Sequence, residues 1–431
     1  MHLSKYSKTY LSDESEDSFF LFSTKRASIA EVPAALMRRI RRGRPIPAKD
    51  ERLLRRLGFI VSDPKKEERK MLAYIDELNA VNRTLSVKVV MSLDCNLACR
   101  YCFEGNRKGK YYMSRETADE LIEFVKKRRG LEEIHLVFYG GEPLLSKELI
   151  IYIAKKVKAL AKIRRLRFGF SLQTNGTLLT KAVAKQLRPL GLQTAFITVD
   201  GPKECHDQSR PYKVGAGSFD RIMGNVRDVC KVIDVQISGN FTKDNYQRFP
   251  LLADFLIENG LGPGLVSSLR FFPVASESPE YCPPEFNDGC SSVNEPWFSG
   301  ASLFLREEIL QRRYSGERIA PGVCMMEHRK NILVNYNGDI YKCPGLIGRK
   351  EFSVGNLRDG IADYRASHHL DNWKNDECLG CAYLPLCFGG CRHMKLVREG
   401  TMDGVDCKRP FYDATLEALV KQDMKYDLIK K

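Results

Sequence analysis

The first 84 residues hold no cysteine, and the opening stretch Met1–Ser18 has none of the apolar core that a secretory signal requires. Nowhere in the 431 residues is there an apolar run long enough to span a bilayer, nor an internal repeat or low-complexity tract. Acidic residues are in deficit, 54 against 69 Lys and Arg, which leaves a net charge of +15. From those absences the chain is expected to lie in the cytoplasm, with no membrane span and no repeat architecture. The charge balance asks for an acidic partner: nucleic acid, an anionic surface, an acidic peptide or an acidic redox protein. With 29% charged and 43% hydrophobic residues the chain is expected to fold, and its length allows two to four domains.

What is abundant is cysteine. There are 14, of which seven lie between Cys324 and Cys407 and three more at Cys95, Cys99 and Cys102. In a reducing compartment clustered thiols bind metal more often than they pair, so disulfides are the weaker reading.

Three domains are expected. Residues 1–84 carry 18 Lys or Arg against 12 Asp or Glu. Strands at Phe19–Ser23 and Ser28–Val32, helices from Pro33 to Arg42 and from Ala48 to Leu57, and a strand at Phe59–Val61 suggest a small winged-helix-like module. The polar stretch from Asp63 to Lys70 reads as a linker. Residues 85–313 then alternate. Strands are predicted at Val87–Leu93, Ile134–Tyr139, Phe168–Gln173, Ala195–Val199, Val235–Asn240 and Leu269–Phe272. Amphipathic helices separate them, the first capped by Ser114. Six β/α units point to an α/β fold, a parallel sheet curled into a partial TIM-like barrel, with chemistry at the C-terminal strand ends. Residues 273–295 read as a Pro-rich loop, and 314–431 form the second cysteine field, closed by a helix from Tyr412 to Lys430.

Cys95, Cys99 and Cys102 sit on the loop after the first strand of this series. Three thiolates so spaced can wrap three corners of a [4Fe–4S] cubane and leave one iron open; a bound zinc or three ordinary thiols are the bland alternatives. The spacing, with Tyr101 before the third cysteine, resembles the signature of the radical S-adenosylmethionine (radical SAM) enzymes. The resemblance implies that the open iron holds S-adenosylmethionine, that Tyr101 lies beside the adenine, and that the reactive species is a 5′-deoxyadenosyl radical. Four further segments follow in family order. The turn Gly140, Gly141, Glu142 and Pro143 is used in the family to meet the ligand's amine. Gln173 and Asn175 follow the third strand, Thr198 and Asp200 end the fourth, and a His206–Arg210 segment comes next. No general acid or base stands out, and no catalytic residue is assigned.

The second field, Cys324, Cys343, Cys378, Cys381, Cys387, Cys391 and Cys407, resembles the SPASM extension of radical enzymes that modify peptides and proteins. The resemblance implies two auxiliary [4Fe–4S] clusters, one on Cys378, Cys381, Cys387 and Cys407, the other on Cys324, Cys343 and Cys391. The eighth cysteine of some relatives is missing, so the second auxiliary site is expected to be open or to borrow Cys282 or Cys290. A double zinc site is the alternative for this field taken alone. Cys205 and Cys230 read as ordinary small residues.

The basic run Met37–Pro45 reads as well as a solvated helix face, and it lacks interleaved aromatics, so nucleic acid is not the expected partner. The module at 1–84 instead resembles those that capture the leader of a ribosomally made precursor by adding a strand to a sheet edge. Deleting residues 1–70 is expected to abolish that capture. The chain as a whole resembles the geopeptide maturases. It is therefore expected to modify a ribosomally synthesised peptide, forming a thioether or another cross-link, with a flavodoxin- or ferredoxin-type electron donor and no membrane partner. The alternatives are a sulfatase-type maturase that generates formylglycine and, in another class, a basic zinc or iron–sulfur protein that binds nucleic acid.

Overall fold

The structure is a computed structural model, and it describes residues 1–12, 17–102, 104, 107–274, 293–316 and 318–428. The chain divides into two compact units. One combines Met1–Val81, Glu317–His328 and His369–Lys431; the other combines Asn82–Gly316 and Arg329–His368.

The first unit opens with β1 (His2–Leu3), β2 (Ser7–Leu11), β3 (Ser18–Ser23) and β4 (Ser28–Pro33). β2, β3 and β4 make an antiparallel meander with the apolar run Phe19–Phe22 in its central strand. Helices α1 (Ala34–Arg41) and α2 (Ala48–Leu57) follow. α2 carries Asp50 and Glu51 in its first turn and Arg55 and Arg56 in its last, each sign matched to the helix end, and Gly58 at φ +86° stops it. β5 (Ile60–Val61) pairs with β1 alone. The stretch from Asp63 to Lys70 is not a linker: it begins α3 (Pro64–Val81). Asp63 accepts the Lys65 amide at 2.9 Å and Pro64 supplies a preset first turn, so its polar residues are a helix start.

The second unit contains β6 (Thr84–Ser92), α4 (Arg115–Lys127), β7 (Glu133–Gly140), α5 (Lys147–Arg164), β8 (Arg167–Thr174) and α6 (Lys181–Leu187). It continues through β9 (Leu192–Thr198), α7 (Lys203–Ser209), α8 (Phe219–Val229), β10 (Asp234–Phe241), α9 (Pro250–Glu258), β11 (Val266–Pro273) and α10 (Pro296–Gln311). Strands β6 to β11 pair side by side in chain order, every pair parallel. This is the partial (β/α)6 barrel read from the sequence. Val87, Leu136, Phe170, Ala195 and Val235 lie in one fully buried core with the inner faces of the helices. Residues 275–292, including Cys282 and Cys290, lie outside the described residues.

The sheet does not end at six strands. β12 (Asn331–Val334) lies parallel to β6, followed by antiparallel β13 (Asp339–Tyr341), β14 (Gly355–Asn356) and β15 (Gly360–Ile361). Ile332, Leu333 and Val334 are buried. The cysteine field is thus interrupted: its middle third belongs to the barrel unit, because this apolar triplet extends the sheet.

The remainder, α11 (Asp376–Leu379), α12 (Leu384–Cys387), α13 (Arg392–Glu399) and α14 (Arg409–Lys425), belongs to the first unit. Within that unit Tyr6, Met71 and Ile75 share a core with Trp373, Leu384 and Phe388, and Phe22 and Ala27 share another with Leu386, Leu416 and Val420. A smaller core of Leu21, Val32, Met37, Ile40, Leu54 and Phe59 is local. No described helix is long and apolar enough to cross a membrane.

Candidate active site

At the C-terminal ends of the parallel strands lies a cleft of about 250 Å³. The loop after β6 brings Cys95, Cys99, Cys102 and Tyr101 to it, and the end of β7 brings Gly140 and Gly141. Gln173 and Asn175 come from β8 and the turn after it, Thr198 from β9, and Arg210 from just beyond α7. Residues as far apart in the chain as Cys95 and Phe272 meet here because strand ends and the loops that follow them gather on one side of the sheet. Glu142, Pro143 and Asp200 do not line the cleft; they are buried and brace its walls.

The glycine pair is required by backbone contact. Gly140 has φ +126°, and a Cβ there would stand 2.2 Å from the Ser92 carbonyl oxygen; on Gly141 it would stand 2.2 Å from that of Asp94. The close approach lets the Gly141 and Glu142 amides donate to Ser92 O and Asp94 O, each at 2.9 Å. The turn is thereby fastened to the stem of the cysteine loop. The Glu142 carboxylate accepts from the Leu144 amide at 3.0 Å, the Asn175 amide at 2.8 Å and the Thr174 hydroxyl at 2.8 and 2.9 Å. Burial raises the Glu142 carboxyl above its ordinary range, against the pull of those donors. The Asn175 side-chain amide in turn donates to Asn96 Oδ1 at 2.8 Å and reaches the Cys95 sulfur at 3.6 Å.

A second network holds the opposite wall. The Tyr101 hydroxyl donates to Asp200 and receives bonds from Arg210 at 2.9 Å and Asn240 at 3.0 Å. The Asn240 amide donates to Asp200 Oδ1 at 2.8 Å. Behind them His206 Nδ1 accepts the Asp200 amide at 3.1 Å, which leaves Nε2–H to donate to Ser218 Oγ at 2.9 Å. Ser218 passes the chain on to Arg210 O at 2.7 Å. Burial, then the charges of Arg210 and Lys203, push His206 down to about 3, so the ring is neutral.

Burial raises the Cys95 thiol to about 11 and raises Cys99 as well. Thiols so held keep their protons until a metal displaces them. Burial alone would lower the Lys108 ammonium, but Cys102 and Cys99 beside it outweigh that and raise it. Glu104, 4% exposed, lines the same cleft, and burial lifts its carboxyl to about 7 against Lys108 and Arg107. Among the described residues no three His, Cys, Asp or Glu side chains converge on a single ion position. Three soft sulfur donors around one cleft, an amide donor on one of them and a cation beside them instead fit a cubane, whose corners are farther apart than the ligands of one ion.

Sequence reasoning passed over Glu104, Lys108, Ser238, Asn240 and Phe272, all of which line the cleft. Ser238 and Asn240 are two apart on β10 and so face the same way; the end of the fifth strand was the available signal.

In the first unit Cys378 lies close to Cys381 and Cys407, and Cys387 close to Cys381 and Cys378. Burial raises Cys378, and lifts Cys387 to about 12. Cys391 lies close to Cys324 instead. Cys343 follows β13 in the other unit, beside Lys88 of β6. Cys205 is buried on α7 and Cys230 is half-buried at the end of α8. The first unit also has a groove of about 650 Å³ along β5 and α3, into which Lys25, Arg26, Arg55, Lys66 and Lys70 project against Asp63, Glu67 and Glu77.

Residues 89–256 match the family described as the Radical SAM superfamily. A cysteine-type anaerobic sulfatase-maturating enzyme of Clostridium novyi is 25% identical over 76% of this chain and 94% of its own length. A serine-type enzyme of the same description from Bacteroides thetaiotaomicron is 25% identical over 72% of this chain and 82% of its own. Among solved structures, anSMEcpe with bound AdoMet and Kp18Cys peptide gives a TM-score of 0.64 at 21% identity, covering 80% of this chain and 98% of that one. Streptococcus suis SuiB bound to precursor peptide SuiA gives 0.54 at 16% identity, covering 94% of this chain and 98% of that one. Both share the fold.

Proposed function

From the premise that this chain carries a radical S-adenosylmethionine domain, we propose that it is a maturase that cross-links a ribosomally made precursor peptide, with a thioether as the favoured bond. The observation that carries the reading is the meeting of Cys95, Cys99 and Cys102 in one strand-end cleft, with Asn175 on one sulfur and Lys108 beside them. Bound there, a [4Fe–4S] cluster and S-adenosylmethionine would supply a 5′-deoxyadenosyl radical able to take hydrogen from an unactivated carbon. The protein's own part is to hold the thiol loop on the Gly140–Gly141 turn and to fix Tyr101 and Arg210 through Asp200. Cys378, Cys381, Cys387 and Cys407, all of the first unit, would hold an auxiliary cluster serving as an electron relay to a flavodoxin or ferredoxin.

The first unit supports the peptide reading. SuiB, a protein seen with a precursor peptide, aligns with 94% of this chain, which includes most of residues 1–81. The groove along β5 offers an unpaired strand edge and a basic wall, the complement of an extended acidic leader. Deleting residues 1–70 is not a clean test, since it would also remove Tyr6 and Phe22 from cores shared with residues 373–420. Replacing Lys66 and Lys70 by Glu is the better variant, with weaker precursor binding expected at unchanged cluster content.

The sulfatase-maturase reading rests on the two relatives named above and on the 0.64 TM-score. Anaerobic reconstitution separates radical chemistry from a zinc-binding role, and the peptide product then separates the two maturase readings. About twelve irons per chain, with 5′-deoxyadenosine formed under dithionite, supports radical chemistry; zinc with no cleavage removes it. Loss of two hydrogens from a cysteine-bearing peptide encoded beside the gene supports cross-linking. An aldehyde formed in a sulfatase-derived peptide supports the alternative.

A further inference from the structure

The first unit buries two hydrogen-bond donors that have no acceptor. Tyr6 and Trp373 are both 0% exposed, and neither the phenol hydroxyl nor the indole N–H has a partner. Buried aromatic side chains with a polar tip normally find one, and an orphan of this kind marks a group that something else completes. The two share one core with Phe388, and Cys378 packs against it.

The surroundings of Tyr6 narrow the choice of acceptor. Glu67, Glu68 and Cys381 are the ionisable groups that face its hydroxyl. Glu67 already accepts from Ser4 and Lys25, and Glu68 is paired with Lys5 at 3.2 Å. The cysteine side is the one left. That side is also tied to the segment that carries the phenol. Lys5 Nζ donates to the Leu379 carbonyl at 2.7 Å and the Thr24 hydroxyl to that of Ala382 at 2.7 Å, while the Thr24 amide holds the Tyr6 carbonyl at 2.9 Å. The chain is thus pinned on both sides of Cys381, whose sulfur already draws the Tyr383 amide at 3.4 Å.

We propose that the Tyr6 hydroxyl and the Trp373 indole donate hydrogen bonds to the sulfur of an iron–sulfur cluster on Cys378, Cys381, Cys387 and Cys407, and so favour its reduced form. Four soft thiol donors of one unit suit such a cluster, and its sulfurs are acceptors that the protein alone lacks there. The inference rests on the auxiliary-cluster reading above and adds to it that the N-terminal segment tunes a redox centre.

The test uses the full chain, anaerobically reconstituted, in a background where Cys95, Cys99, Cys102 and Cys343 are Ala, which leaves about four irons per chain. An EPR-monitored redox titration gives the midpoint potential, and iron is counted beside it. Tyr6→Phe keeps the ring and removes the donor. It should retain the iron and make reduction roughly tenfold less favourable, a shift of about 59 mV to more negative potential for one electron. Trp373→Phe should move the potential the same way. Tyr74→Phe, which takes a hydroxyl from a ring stacked on Phe388 in the same core, is the control and should leave it unchanged. An unchanged potential in Tyr6→Phe overturns the proposal. So does loss of iron in that variant, which would make Tyr6 a packing support only, and so does an equal shift in Tyr74→Phe, which would assign the effect to the core at large. If the background chain takes up no iron, the auxiliary-cluster reading fails first and the proposal with it.

Discussion

Asn175 joins two parts of the site: its side-chain amide reaches the Cys95 sulfur at 3.6 Å while its backbone amide donates to Glu142 at 2.8 Å. Hydrogen bonds to ligating sulfur favour the reduced state of an iron–sulfur cluster. Asn175→Leu should move the midpoint potential of the cluster proposed on Cys95, Cys99 and Cys102 to more negative values, read by an EPR-monitored redox titration of the reconstituted chain. An unchanged potential would leave Asn175 as a packing residue only.

Glu142 has no exposure and accepts four close contacts from three residues. Truncation to Ala strands those donors in the interior and should cost about 3 kcal/mol. Glu142→Gln should cost clearly less, because burial already disfavours the charged carboxylate. Chemical denaturation of the two variants beside wild type gives the order.

In the other unit, the Arg392 guanidinium pairs with Glu327 out of solvent and also donates to the His369 carbonyl at 2.9 Å. Glu327 further accepts the Asp371 amide at 3.2 Å, and its own carbonyl takes the Asn79 side chain at 2.8 Å. Arg392→Met leaves a buried carboxylate unpaired and should destabilise that unit by about 3–5 kcal/mol. Adding Glu327→Leu should restore part of the loss, which urea unfolding would show.

His206 is neutral and buried, with its pKa depressed from 6.5 to about 3. Unfolded, it takes up a proton below pH 6.5; folded, it does not. Its contribution is therefore complete above pH 6.5 and is lost as pH falls toward 3, with a slope of up to about 1.4 kcal/mol per pH unit. His206→Gln should flatten that part of the stability profile between pH 7 and pH 5. Equal slopes in the two proteins would refute the assignment.

The barrel was legible because its signals are local. Each strand is a short β-branched or aromatic run, and each motif sits at the end of one. Ser114 capped α4 as its position implied, with the Thr117 amide donating to it at 3.1 Å. Other features depend on distant partners. The Ser7–Leu11 strand is a polar stretch that pairs only because Phe19–Phe22 lies beside it. The strand of Ile332, Leu333 and Val334 was not read from the sequence, because nothing local told that its neighbour would be β6, some 245 residues earlier. Nor does Glu142 in isolation disclose that its donors arrive from Thr174 and Asn175. Glu104 escaped notice for the opposite reason: a charge next to a cysteine motif looks like surface until its burial is known.

The core that unites Tyr6, Met71 and Ile75 with Trp373 and Phe388 sets a condition on synthesis. At about 5–20 residues per second, the ribosome would take tens of seconds to deliver the later side chains after the earlier ones have emerged. For that interval the leading segment has apolar faces and no mate for them. A nascent chain of this kind is a natural client for holding chaperones, and a premature stop before the last helices would release an aggregation-prone fragment in place of a shortened enzyme.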